Sequence, residues 1–339
     1  MNAFIPFLQA VGRGEKLKRD LTVDEAREAM RLLLSGQATP AQIGAFLIAQ
    51  RVKGESADEV VGFTEAARTF CQQLSLSVPG LIDLGLPYDG KTRTLQLAPI
   101  AALVAAAAGQ PVVLHGNRRI PTKCGLGPAD LLEALGIPVD LPPAVVARQV
   151  AELGIGFLYV PRFCPAWHAL TPLRHQLGLR TVLNTVEKLW NPSRAPILVA
   201  GFFHKGYLQR MRQAMGRLVT QGWIVQGAEG SIESVPGRVT HLLPADPQAE
   251  PLVVDPQALG LGEEGSMEAP PQPGVQAAVA RQVLDNQPGP ARDTVILTAG
   301  VLLFLGRRVS SLEEGVSLAR AVLDSGTARQ WLARWQTLT

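Results

Sequence analysis

Two short loops in this chain combine small residues with a cation, the pattern that holds a phosphate group. Gly85-Leu-Pro-Tyr-Asp-Gly90-Lys91 follows an apolar run and precedes an alanine-rich one, and His115-Gly116-Asn117-Arg118-Arg119 does the same one unit later. A phosphate cradle needs a backbone that can approach the anion and a positive group to hold it. His115-Gly116-Asn117-Arg118 meets both conditions; the plainer alternative is a surface turn with an incidental arginine. The charge distribution suggests a second anion chemistry. Residues 153–228 hold nine Lys or Arg against one acid, Glu187, and residues 241–280 hold six acids and no Lys or Arg, although the net charge is only +3. Lys205, Arg210, Arg212 and Arg217 fall on one predicted helix, 205 in line with 212 and 210 with 217, so they form two neighbouring stripes. Cations along a face are what neutralisation of nucleic-acid phosphates requires, and a solvated surface is the plainer reading. Stacking on single strands has few candidates, Phe202, Phe203 and Tyr207, so electrostatic contact is expected rather than base reading.

The elements that must position these residues change character along the chain. Thr22-Val-Asp-Glu25, Thr39-Pro40 and Ser56-Ala-Asp-Glu59 are helix starts by capping box or N-cap with proline, which predicts a small helical module over the first 70 residues or so. From Leu81 short apolar runs end in glycine loops and feed helices: 81–85 then 99–108, 111–116 then 128–135, and strand candidates at 154–160, 197–202 and 223–226. Such alternation predicts an α/β fold with a central, mainly parallel sheet flanked by helices. The Pro-, Gly- and acid-rich stretch 244–275 reads as an irregular insertion with weak strand candidates at most. Met211 and Met215 read as core contacts, and Trp331 and Trp335 as the docking face of the last helix. Cys71, Cys124 and Cys164, an odd number at wide spacing, argue against a disulfide framework or a CxxC metal site and read as buried thiols. The five histidines show no metal-ligand spacing. The longest apolar runs reach about a dozen residues, short of the ~20 that span a membrane, and the N-terminal stretch lacks the order of a secretory signal. A cytoplasmic protein without a membrane partner is the expectation.

The run LTVDEAREAMRLLLSGQATPAQIGAFLIAQRVKGES, the strand–loop HGNR, the DLLEALGI after it and RHQLGLRTVLN with its following NP resemble the anthranilate phosphoribosyltransferase superfamily, glycosyltransferase family 3. The resemblance covers about residues 10–240 and resumes at SSLEEGVSLARAVLDSG. It implies a helical N-terminal domain, 1–75, that mediates a homodimer, and an α/β phosphoribosyltransferase-like domain, 76–339, with part of 165–195 packing on the helices. It also implies strand-end loops that take phosphoribosyl pyrophosphate (PRPP), with Mg2+ only when PRPP is bound and no cofactor otherwise. Carried over position by position, it assigns Asp89, Gly90, Lys91, His115, Gly116, Asn117, Arg118 and Lys123 to phosphate or PRPP, Arg174 to the carboxylate of an anthranilate-like acceptor, and Glu233 to magnesium.

The departures are as informative. The family's GTGGD is here Gly85-Leu86-Pro87-Tyr88-Asp89, its N-x-S-T is Gln96-Leu97-Ala98-Pro99, and its acidic Asp-Glu pair falls on Ile232 and Glu233. Proline lacks an N–H for a phosphate, and alanine lacks an oxygen for a hard cation. Where the family has Gly-Pro before x-x-Asn-Pro, this chain has Glu187-Lys188. A paralogous branch is more similar, sharing the opening Gly12-Arg-Gly14, Arg19-Asp20-Leu21 and a P-x-Y/N-G remnant like Pro87-Tyr88-Asp89-Gly90. That branch is associated with dimers that bind single- and double-stranded nucleic acid without marked sequence preference and lack anthranilate activity. The resemblance implies a nucleic-acid-binding surface of Arg13, Lys16, Lys18, Arg19, Lys205, Arg210, Arg212 and Arg217, with a degraded Mg–PRPP site. The alternatives are an active phosphoribosyltransferase using anthranilate or another amine acceptor, and a partner-binding dimer with a vestigial pocket.

Overall fold

The computed structural model describes residues 3–72, 74, 76, 78–86, 88–202, 205–262 and 265–339. Pro87, Phe203, Glu263 and Glu264 lie outside the described residues, and so does the side chain of Lys205.

Capping chemistry starts the N-terminal helices where the sequence places it. Helices Val23–Leu34, Pro40–Lys53 and Ala57–Thr69 each open on a reciprocal box, made by Thr22 with Glu25, Thr39 with Gln42, and Ser56 with Glu59. Their apolar faces meet around Phe4, Phe46 and Phe63, whose rings pack edge to face at 5.2 and 6.0 Å. This core continues into Trp167, Val182, Leu183, Val186 and Trp190, so the segment around 165–190 packs on the helical module. Arg68, buried on helix Ala57–Thr69, donates to the carbonyls of Leu189 and Trp190 and to that of Leu218.

Among the described residues seven strands form one sheet in the order β3-β2-β1-β4-β5-β6-β7. They are β1 (Ile82–Gly85), β2 (Val112–Gly116), β3 (Ile155–Tyr159), β4 (Ile197–Gly201), β5 (Gln221–Val225), β6 (Thr240–Pro244) and β7 (Leu252–Val254). The first five are mutually parallel, and β1 to β4 are buried on both faces, which is why they read as continuous apolar runs rather than as alternation. Helix Ala98–Ala107 is buried almost throughout and joins a core with helix Pro290–Leu305. The last helix, Thr327–Thr337, docks through Trp335 Nε1 to Gln149 Oε1 at 3.2 Å and Trp331 Nε1 to the Leu153 carbonyl at 2.9 Å.

Two details differ from the sequence reading. The stretch 244–275 is not wholly irregular, because β7 lies within it and pairs antiparallel with β6, which ends at Pro244, an edge that the Pro- and acid-rich composition conceals. Cys164 is buried as expected, but Cys71 and Cys124 are only partly so. Among the described residues, no helix is long and apolar enough to cross a membrane.

Candidate functional site

β1 and β4 are neighbours, and the chain winds outward from them in opposite directions, through β2 and β3 on one side and β5 on the other. Their carboxyl ends therefore open a crevice at a topological switch point, the usual ligand position in such sheets. A cavity of about 480 Å3 lies there, walled on its far side by the end of helix Pro40–Lys53. Gly201, at the end of β4, lines its floor, where an added Cβ would stand 2.3 Å from the Gly230 carbonyl oxygen.

The acids of this cleft are neutralised from within. Asp89 receives Arg180 Nε and Nη2 at 2.8 and 3.0 Å. Glu229 accepts from the backbone N–H groups of Thr92, Arg93 and Thr94 and from both threonine hydroxyls, with Lys123 Nζ at 3.3 Å. Partial burial opposes its charge, but these donors prevail and hold the carboxyl down at about 2. Burial instead raises the Glu55 carboxyl, to which Tyr207 Oη donates at 3.2 Å. The cations are less well matched. Lys188 Nζ donates to the Gly201 and Gly230 carbonyls at 2.7 and 3.0 Å and has no acid partner among the described residues; burial pushes its ammonium down to about 8. Arg210 lies over the Tyr207 ring at 5.8 Å, and among the described residues it too has no acid partner, while Arg51 donates there to the Arg180 carbonyl alone.

Of the residues assigned to phosphate from the sequence, Asp89 lines this cleft and most of the others are engaged elsewhere. His115 is fully buried, with Nδ1 2.7 Å from Asp83 Oδ1 and Nε2 2.9 Å from the Glu187 carbonyl, so it ties the sheet together rather than facing a ligand. Burial works against its charge, but Asp83 outweighs this and the imidazole titrates above its ordinary value. Gly116 is small because Pro128 fills the space, where an added Cβ would approach Pro128 Cγ to 2.4 Å. Asn117 Oδ1 accepts from the Arg118 backbone, and the Arg118 guanidinium turns outward onto Glu133 and Tyr159. Gly90 adopts φ +76° and packs on Gly125, a packing role in place of a phosphate cradle.

Arg174 and the magnesium position depart furthest from the expectation. Arg174 is buried and closes on both carboxylate oxygens of Glu187, with Trp167 Nε1 donating to the same carboxylate at 2.9 Å. The arginine expected to meet an acceptor thus already holds a carboxylate from its own chain. Lys91 Nζ pairs with Glu233 Oε2 at 2.7 Å and donates to the Leu95 carbonyl at 2.5 Å, while Glu233 Oε1 takes the N–H groups of Leu97 and Ala98, both at 3.0 Å. The helix N-terminus after β1, an anion site in folds of this kind, is capped internally. An ammonium occupies the place of a cation beside the surviving acid, Ala98 and Ile232 bring no oxygen, and no cluster of metal-binding side chains exists among the described residues. The residues present do not fit a magnesium ion there.

The basic surface is likewise divided. Arg212 is held by the carbonyls of Pro244 and Asp246, and Arg217 by Asp58, so of the three predicted stripe residues whose side chains are described only Arg210 reaches the cleft. Near the N-terminus, Lys18 pairs with Glu15 and Arg19 with Glu25, leaving Arg13 and Lys16 exposed without acid partners among the described residues. Sequence reasoning missed Arg51 and Glu55, whose only signal is the Lys53-Gly54 helix stop. It had marked Lys188 only as a departure.

Residues 89–329 match the α/β domain of the glycosyl transferase family, and residues 5–71 match its helical bundle domain. An anthranilate phosphoribosyltransferase of Azorhizobium caulinodans is 34% identical over 334 residues, covering 97% of this chain and 94% of the relative. The crystal structure of anthranilate phosphoribosyltransferase from Thermus thermophilus has a TM-score of 0.87 and 34% identity, covering 100% of this chain and 99% of that one. The Saccharomyces cerevisiae anthranilate phosphoribosyltransferase in complex with PRPP and Mg shares the fold at 20% identity, with a TM-score of 0.84 over 99% of this chain and 97% of that one.

Proposed function

The chain belongs to the glycosyl transferase family with these helical-bundle and α/β domains, and from that premise we propose that it is a cytoplasmic homodimer, paired through its helical module, that binds nucleic acid without sequence preference and has little or no anthranilate transferase activity. The observation that carries the loss of transferase chemistry is the Glu187 carboxylate on Arg174. An acceptor carboxylate would have to displace a buried ion pair that Trp167 also supports. The ammonium of Lys91 at Glu233 adds to this on the PRPP side. Binding of a phosphate-bearing chain is supported by the surplus of bases in residues 153–228 and by Arg51, Lys188 and Arg210, which bring to the cleft positive charge without acid partners among the described residues. The test is fluorescence anisotropy of a labelled single strand across salt concentrations, without and with PRPP. Affinity should fall with a log–log slope of about 0.7 per phosphate neutralised; no binding at low salt would refute the reading.

The names of the relatives favour a second reading, phosphoribosyl transfer from PRPP to anthranilate or another amine. Asp89, Gly90, Asn117, Arg118 and Lys123 are present for it. PRPP-dependent consumption of anthranilate that disappears in Arg118→Ala would establish it in place of the first.

A further inference from the structure

Helix Leu183–Leu189 sends two consecutive side chains to opposite tasks. Glu187 goes inward and closes Arg174, whereas Lys188 lines the cleft between the ends of β1 and β4. Two of the three N–H groups of Lys188 go to the Gly201 and Gly230 carbonyls, and the third has no protein partner among the described residues. A desolvated ammonium without a counter-charge is costly, and such groups in clefts mark functional sites. Arg51 and Arg210 line the same cavity, also without acid partners among the described residues; of its acids, Asp89 and Glu229 already have their own cations and donors, and Glu55, which accepts from the Tyr207 hydroxyl, has its carboxyl raised toward the neutral form by burial. Against these three cations Glu55 offers at most one negative charge, and the remaining surplus calls for a group carrying more than one. Phe202 and Tyr207 supply apolar wall beside them, and about 480 Å3 is the size of a small-ligand site rather than of a duplex groove.

We propose that Lys188 anchors a phosphate subsite in this cleft, flanked by Arg51 and Arg210, which takes the phosphate of a nucleotide, either free or at the 5′ end of a strand. The proposal deepens the nucleic-acid reading and rests on it for the class of ligand. It also gives the Glu187-Lys188 dipeptide a single sense: the anion site at Arg174 is closed, and a new one is opened next to it.

The experiment titrates the full-length protein with inorganic pyrophosphate by calorimetry, then with 5′-phosphorylated and 5′-hydroxyl strands and a nucleoside monophosphate. Lys188→Gln and Lys188→Met are compared with the wild type, with a thermal melt of each to verify folding. Pyrophosphate should bind the wild type and weaken by about tenfold or more in both variants, the loss expected for a hydrogen bond to a charged group. The 5′-phosphorylated strand should outbind the 5′-hydroxyl strand only in the wild type. A monophosphate that binds as tightly as the phosphorylated strand identifies the free nucleotide as the source; a weaker one identifies the strand end. Equal pyrophosphate affinity in wild type and folded variants would overturn the proposal, as would strand binding by a wild type that ignores pyrophosphate, which leaves the nucleic-acid reading standing. A wild type that binds neither overturns both.

Discussion

Lys91 Nζ stands 2.7 Å from Glu233 Oε2, and both side chains are almost wholly withdrawn from water. The pair spans the molecule in sequence and joins the loop after β1 to the loop after β5, so it is at once a structural bolt and a stand-in for a cation. Removing one partner of a buried pair leaves an uncompensated charge at a cost of ~3–5 kcal/mol. Lys91→Met should therefore lose stability on that scale in urea unfolding. Lys91→Met combined with Glu233→Gln, which keeps an acceptor for the Leu97 and Ala98 N–H groups, should recover much of it.

The same pair predicts indifference to divalent metal. A ligand that binds only the folded state stabilises it by RT ln(1 + L/Kd), where L is its free concentration, and so raises the melting temperature. Millimolar Mg2+ should leave the melting temperature unchanged; a rise that vanishes in Glu233→Gln would contradict the assignment of the Lys91 ammonium to the cation position.

Glu187→Gly should free Arg174 and open the place its carboxylate fills. Anthranilate or benzoate should bind this variant and not the wild type, read by calorimetry or by anthranilate fluorescence. Equal binding by both would mean that Arg174 does not depend on Glu187 for its closure.

His115 makes stability depend on pH. Its folded value lies above the ordinary 6.5, so the folded state holds the proton more tightly than the unfolded chain. The stabilisation is complete below about 6.5 and fades as pH rises through the folded value. The melting temperature should fall with increasing pH from 6.5 upward, and His115→Gln should flatten that slope. Glu229 works in the opposite sense: held down at about 2, it contributes above its unfolded value and loses that contribution as pH falls toward 2.

Gly201→Ala would drive a methyl group to within 2.3 Å of the Gly230 carbonyl oxygen. Overpacking of this kind costs ~1–3 kcal/mol. Urea unfolding should report that loss, and strand affinity should fall with it, because Gly201 and Gly230 hold Lys188.

The sequence was most legible where the physics is local. The capping boxes at Thr22, Thr39 and Ser56 need only residues three apart, and buried parallel strands announce themselves as short apolar runs. β7 was hidden because a three-residue edge strand carries too little pattern, and β6, Thr240–Pro244, because its apolar run is only two leucines long before a proline. In the site, residue types were legible but their partners were not. Arg174, His115 and Lys91 are expected from the sequence to meet an acceptor or a phosphate, and in the structure each is answered by a group far away in sequence or around a turn: Glu187, Asp83 and Glu233. A cation next to a glycine looks the same in a sequence whether it faces a phosphate or a carboxylate of its own chain.

Arg68 fixes the geometry of the cleft. By gripping carbonyls at the ends of helices Leu183–Leu189 and Leu208–Leu218, which carry Lys188 and Arg210, one guanidinium sets the spacing of two ligand-facing cations from behind. The recess is thereby preorganised: an incoming anion finds its partners already in position and little conformational freedom is surrendered on binding. Association with such a rigid receptor is a matter of encounter and desolvation rather than of closure, and its rate should fall as ionic strength rises.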